Sequence, residues 1–273
     1  MILSNGAGRW RLLAGACLLA CMASLAGCSS LARDSEAGLD SAAAGQNETE
    51  ARRRARIRLE LAVNYLQHGQ PQVALEEVRQ ALAADPDNAD AYHVRGLAHM
   101  AQGDMAKAEH SLRRAQDMKP RDPDILHNLG WLQCQREHYE QAGELFERAL
   151  AIPGYTSRSK TLMSLGVCQQ RAGQVELAEQ TLLRAYEIDA GNPVIGYHLA
   201  SIIFARGDIG RAQFYARRVN NGEFGSAESL WLGIRIERAL GDTLAMRQLA
   251  EQLRKRFPDS RQVRALDKGN FDE

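Results

Sequence analysis

Two stretches, AYHVRGLAHMAQGDMAKAEHSLRRAQDMKP (91–120) and ILHNLGWLQCQREHYEQAGELFERALAIPG (125–154), repeat one pattern of small, apolar and charged residues. In each, apolar residues recur every three or four positions, a break such as Gly103-Asp104 follows, and a second run of the same spacing begins. That is the pattern of two amphipathic helices joined by a tight turn. The pattern extends over most of the 273-residue chain. Ala74, Ala108, Ala142, Ala178, Ala212 and, less cleanly, Met246 mark one recurring position, with separations of 34, 34, 36, 34 and 34. Alanine fits a place where two helices approach closely and a larger side chain would overpack.

A fixed period of 34 with helix-turn-helix units is the tetratricopeptide (TPR) signature. Gly96, Gly130 and Gly166 resemble its small residue in the first helix, Phe146 its aromatic in the second, and Pro86, Pro120 and Pro258 its stop. Breakers at Gly69-Gln70-Pro71, Gly173-Gln174, Gly207-Asp208 and Gly241-Asp242 end the other first helices. One unit cannot bury its own apolar face, so about six units must stack. The expected fold is all-α, a right-handed superhelical solenoid whose first helices line a concave groove. The segment AIPGYTSRSK (151–160) is two residues longer than the period allows and carries Pro153-Gly154, which predicts a break in the stacking between units three and four. The last two units lack several consensus glycines and read as capping.

The front of the chain has a different character. Arg9 and Arg11 precede an apolar run, Leu12 to Ala26, too short to span a bilayer as a mature helix. It reads as a cleaved signal. Leu25-Ala26-Gly27-Cys28 resembles the lipobox of bacterial lipoproteins, which implies acylation of Cys28. Cys21, after Leu18-Leu19-Ala20, is a weaker rival, and Cys17 belongs to the signal. Ser29, by the same resemblance, implies export to the periplasmic face of the outer membrane. More than one acyl chain is needed for stable anchoring. Residues 29–50 are poor in large apolar side chains and read as a flexible tether. The organisation is therefore 1–27 signal peptide, 28–50 lipidated tether, 51–260 TPR domain and 261–273 tail.

With Arg9 and Arg11 removed, 32 basic residues face 34 acidic ones, a balance that gives no support to a nucleic-acid partner. The basic run ARRRARIR (51–58) reads as a solvated face of the first helix, with an acidic or phospholipid partner as the lesser alternative.

The whole resembles the type IV pilus biogenesis and stability lipoproteins (PilF/PilW type). The resemblance rests on the lipobox, the six units, GYTSRSKTLMSLGVC (154–168), and ESLWLGIRIERALGD followed by LRKRFPDS (228–260). It implies a non-enzymatic role as a pilotin or assembly factor that carries secretin subunits of the pilus to the outer membrane or helps them multimerise. A periplasmic scaffold recruiting peptidoglycan enzymes or outer-membrane assembly factors is the alternative, and an enzyme regulator bound through the basic run a distant third.

TPR register places Leu59, Val63, Leu66, His93, Leu97, Met100, His127 and Trp131 in the groove, with Trp131 as the anchor for a partner segment. The alternative for Trp131 is packing by the neighbouring unit. Asn128 and Lys160 alone fall near the carboxylate-clamp positions of chaperone-binding TPR domains, an incomplete clamp. His93, His127 and Cys134 lack the spacing of a metal site, and no Gly-rich phosphate loop, GxSxG or paired CxxC is present, so no metal, cofactor or small-molecule substrate is expected. Cys134 and Cys168 lie on successive first helices. They are read either as a disulfide or, with preference, as two separate packed thiols, because neighbouring helix axes stand ~8–10 Å apart and a disulfide needs Cα atoms at roughly 4.4–6.8 Å.

Overall fold

A computed structural model describes residues 49–271. The signal segment, Cys28 and nearly all of the tether lie outside the described residues. Six helix pairs follow: α1 (Glu50–Gln67) with α2 (Pro71–Ala84), α3 (Ala89–Ala101) with α4 (Met105–Met118), and α5 (Pro123–Gln135) with α6 (Tyr139–Leu150). Next come α7 (Arg158–Arg171) with α8 (Val175–Ile188), α9 (Pro193–Ala205) with α10 (Ile209–Asn220), and α11 (Ala227–Leu240) with α12 (Thr243–Arg256). A short α13 (Arg261–Asp267) closes the array.

The tight turns have a local cause. Gly103 adopts φ 77°, and its N–H bonds back to the Met100 carbonyl while that of Asp104 reaches His99. The left-handed residue thus satisfies the open carbonyls of the first helix. Asp104 then caps the second helix by accepting from the Lys107 N–H at 3.2 Å. In unit three the same turn is made by Glu137 at φ 63°, with the same pair of backbone bonds to Cys134 and Gln133.

Within each unit the helices interlock through the recurring small residues. A Cβ on Gly96 would lie 2.5 Å from Leu112 Cγ, and one on Gly166 2.6 Å from Leu182 Cγ. Gly130 faces the ring of Phe146. Leu112, Phe146 and Leu182 are completely buried, as are Ala108, Ala142, Ala178 and Ala212. Met246, the irregular sixth member, is half-buried in a separate terminal cluster with Trp231 and Leu253.

Between units the two layers behave differently. The backbone of each first helix comes close to that of the next first helix, whereas second helices stand further apart and meet through side chains, as where the Tyr186 ring on α8 packs edge-on against Tyr215 on α10 at 5.2 Å. The inner layer is therefore the tighter one, and the array curves as a TPR superhelical solenoid with α1, α3, α5, α7, α9 and α11 on its concave side.

The expected break after unit three does not occur. One core runs from Cys134 and Phe146 through Leu162, Leu182 and Leu199 to Ile236. The two extra residues loop outward at exposed Pro153 and Gly154, while Tyr155 folds back, buried, with its hydroxyl 2.7 Å from Thr161 Oγ1. Arg158 Nη1 donates to the Leu150 carbonyl across the same loop. Nor is the segment after 260 a loose tail. Ser260 caps α13, Val263 is buried, and the Phe271 ring stacks on Trp231 at 5.5 Å.

Replacing Glu137 by Gly should raise stability by about 0.5–1 kcal/mol, because it removes an L-residue's left-handed penalty at the expense of a more flexible unfolded chain. Gly103→Ala should move stability the other way. Thermal unfolding should show the melting temperature rising for the first variant and falling for the second; a fall for both would contradict this account of the turn.

Candidate partner-binding groove

Carried through the observed repeat separations, the inner face consists of three rows of residues. One row runs Leu59, His93, His127, Met163, Tyr197 and Trp231. A second runs Val63, Leu97, Trp131, Val167, Ser201 and Arg235. The third runs Leu66, Met100, Cys134, Gln170, Phe204 and Arg238.

The eight groove residues expected from sequence do not share one environment. Leu59 and Leu66 are half-buried against the core of unit one, and Val63 is 38% exposed. His93, Leu97 and Met100 are half-buried; Asn128 Nδ2 donates to His93 Nε2 at 2.7 Å, which engages the one clamp-like asparagine. Trp131 packs against the main core and is half-buried, with the Arg171 guanidinium 5.2 Å above its ring. His127 must be withdrawn from the list of contacts. It is 3% exposed, its Nδ1 lies 2.9 Å from Thr161 Oγ1, and its ring tilts against Phe146. The same Thr161 hydroxyl also meets that of Tyr155, which links this histidine to the loop.

Cys134 and Cys168 form a disulfide, contrary to the preferred reading of separate thiols. Their Cα atoms are 5.8 Å apart. Cys168 precedes Gln170, the counterpart of Cys134, by two residues, and this puts it on the flank of α7 turned toward α5, where successive first helices touch. An axis-to-axis distance overstates the gap between facing flanks. The bond engages one of the three residues considered for a metal, and Thr161 engages another. Among the described residues no group of three or more His, Cys, Asp or Glu is placed to hold an ion.

Sequence reasoning missed the far half of the groove. Tyr197 and Phe204 are half-buried on its floor, and Arg235 lies 5.5 Å above the Phe204 ring. The signal was present: the same register steps that mark Leu59 and Val63 reach these residues once units five and six are kept in the count. Among the described residues no helix is long and apolar enough to cross a membrane.

Comparison with known proteins agrees with this architecture. A tetratricopeptide-repeat family model matches residues 59–123 and 93–158. The type IV pilus assembly protein PilF of Pseudomonas aeruginosa is 24% identical over 202 residues, covering 74% of this chain and 80% of that protein. The crystal structure of PilW, a widely conserved type IV pilus biogenesis factor, superposes with a TM-score of 0.71 at 29% identity, covering 78% of this chain and 97% of PilW. The structure of Pseudomonas aeruginosa PilF gives a TM-score of 0.72 at 22% identity, a likeness of fold.

Two histidines on first helices, His127 on α5 and His198 on α9, also bear on stability. Burial holds the His127 pKa down to about 4, aided by Lys160 and His93, and burial with Arg171 nearby brings His198 to about 4. Both are neutral in the folded chain where an unfolded histidine would take a proton. Their contribution is complete above the ordinary value of 6.5 and is lost as pH falls from there toward 4. For His127 the full loss is on the order of 3 kcal/mol. Denaturant unfolding should show stability declining between pH 7 and 4.5, and His127→Gln should flatten that decline; an unchanged slope would remove His127 from the account.

Proposed function

We propose that this tetratricopeptide-repeat chain, homologous to PilF and PilW, is a non-enzymatic assembly factor of type IV pilus biogenesis. The single observation that carries the reading is the extent of the PilW likeness, which spans 97% of that protein with one continuous helical array. Repeat proteins of other kinds share the fold, some over most of both chains, but at 16–18% identity and TM-scores of 0.52–0.61, whereas PilW reaches 29% and 0.71.

On this reading Cys28 carries the acyl chains that hold the protein to the periplasmic face of the outer membrane. The solenoid works from that anchor as a pilotin, receiving secretin subunits and promoting their localisation and multimerisation. The Cys134–Cys168 disulfide supports an address outside the cytoplasm, since such bonds persist in oxidising compartments. The long inner face supports a protein partner, because a concave helical surface with half-buried aromatics accepts an extended or helical segment.

Affinity capture from detergent-solubilised envelope should bring down a secretin with the wild-type protein. Cys28→Ala should abolish palmitate labelling and shift secretin multimers away from the outer membrane while the purified chain still binds secretin. Normal labelling of that variant would overturn the anchor, and a secretin-free capture would overturn the partner.

A further inference from the structure

The arginines of the last three units find different partners. Arg206 and Arg211 meet Glu179, and Arg217 meets both Glu237 and Asp242. Arg218 and Arg256 lie over rings and donate to backbone carbonyls. Arg171, Arg235 and Arg238 behave otherwise. They lie over the rings of Trp131, Phe204 and Phe271 at 5.2, 5.5 and 4.3 Å. None of the three forms an ion pair among the described residues.

Their placement follows the repeat. Arg235 and Arg238 stand where unit one has Val63 and Leu66, and Arg171 directly follows Gln170, the fourth-unit counterpart of Leu66. All three therefore border the inner face. Glu228, the carboxylate at the head of α11, is engaged by the Gln262 amide at 3.2 Å. A ring beneath a guanidinium holds it flat and orders it, yet leaves its outer edge with donors that match a carboxylate.

We propose that the groove of units four to six binds a partner segment in which carboxylate side chains alternate with apolar ones. The carboxylates complete the pairing that Arg171, Arg235 and Arg238 lack, as charge-assisted hydrogen bonds. The apolar side chains rest between them on Met163, Tyr197 and Phe204. A phosphate group would satisfy the same charge, but the apolar floor that separates the arginines fits a peptide. The inference rests on the inner face being the partner-binding surface; it does not depend on the partner being a secretin.

The test uses the full-length protein in detergent and fluorescein-labelled synthetic peptides. One peptide alternates Glu with Leu and Phe, and its counterpart has Lys in place of every Glu. The acidic peptide should bind and the basic one should not, with affinity falling as salt rises from ~50 to ~300 mM. Combined Arg171→Gln, Arg235→Gln and Arg238→Gln should weaken binding about tenfold, three partly exposed pairs being lost. The corresponding triple Lys variant should retain most of it, and Arg113→Gln on the outer side should change nothing. Circular dichroism on each variant fixes that the helices persist. Equal binding of the two peptides, no binding of the acidic one, or full binding by the Gln variant would overturn the proposal. So would binding of phosphatidylglycerol vesicles through the same arginines with no peptide binding. A failed secretin capture would leave this result standing, and the reverse also holds.

Discussion

The molecule depends on how closely two helices can approach within a unit. Leu112, Phe146 and Leu182 enter space that exists only because Gly96, Gly130 and Gly166 have no side chain. This approach turns each pair into a wedge with its apolar surface on both flanks. Neither flank can be covered from within the unit, so every pair must find a neighbour, and the array follows from that requirement. Packing at this density tolerates little change in volume at those positions.

Because the backbones of the inner helices approach one another more closely than those of the outer helices do, the two sides of the array solve different problems. The outer side is wider between units, and side chains bridge it, charged groups among them. Arg136 in unit three meets Glu109 in unit two, and Arg206 in unit five meets Glu179 in unit four. Glu179 and Glu237 are buried carboxylates, tolerable only because arginines from adjoining units reach them. The inner side carries rings and aliphatic chains at half-burial, a surface already largely desolvated before any partner arrives. Ordering that surface adds little to what binding must overcome.

Much of this was legible in the sequence, because period, turn glycines and recurring alanines are local signals that survive without knowledge of the fold. The type of every element in the six pairs follows from them. The failures concern depth and flank. Pro153-Gly154 looks like a break when read locally, yet Tyr155 uses the added length to close over Thr161. Register puts His127 on the inner helix, but register carries no information on burial, and here the ring packs against Thr161 and Phe146. A general helix separation misleads for the cysteine pair, because the two-residue offset of Cys168 is the deciding quantity. Arg235 and Arg238 are hidden from the sequence because the units that hold them lack consensus glycines, and Phe271 because a short terminal segment gives no periodic signal.

A stack of near-identical units unravels from its ends, each terminal pair having only one neighbour. The disulfide joins α5 to α7, at the middle of the stack, across a 34-residue separation. By loop closure alone such a link withdraws about 4 kcal/mol of chain entropy from the unfolded state. Opening that advances from either terminus therefore becomes costlier at the third and fourth units, where the bond limits the freedom the chain gains. Amide hydrogens there would exchange more slowly than their burial alone dictates, and a protease that trims the ends would leave a bonded central fragment. A chain with such a centre can refold its ends repeatedly on a template that stays in place.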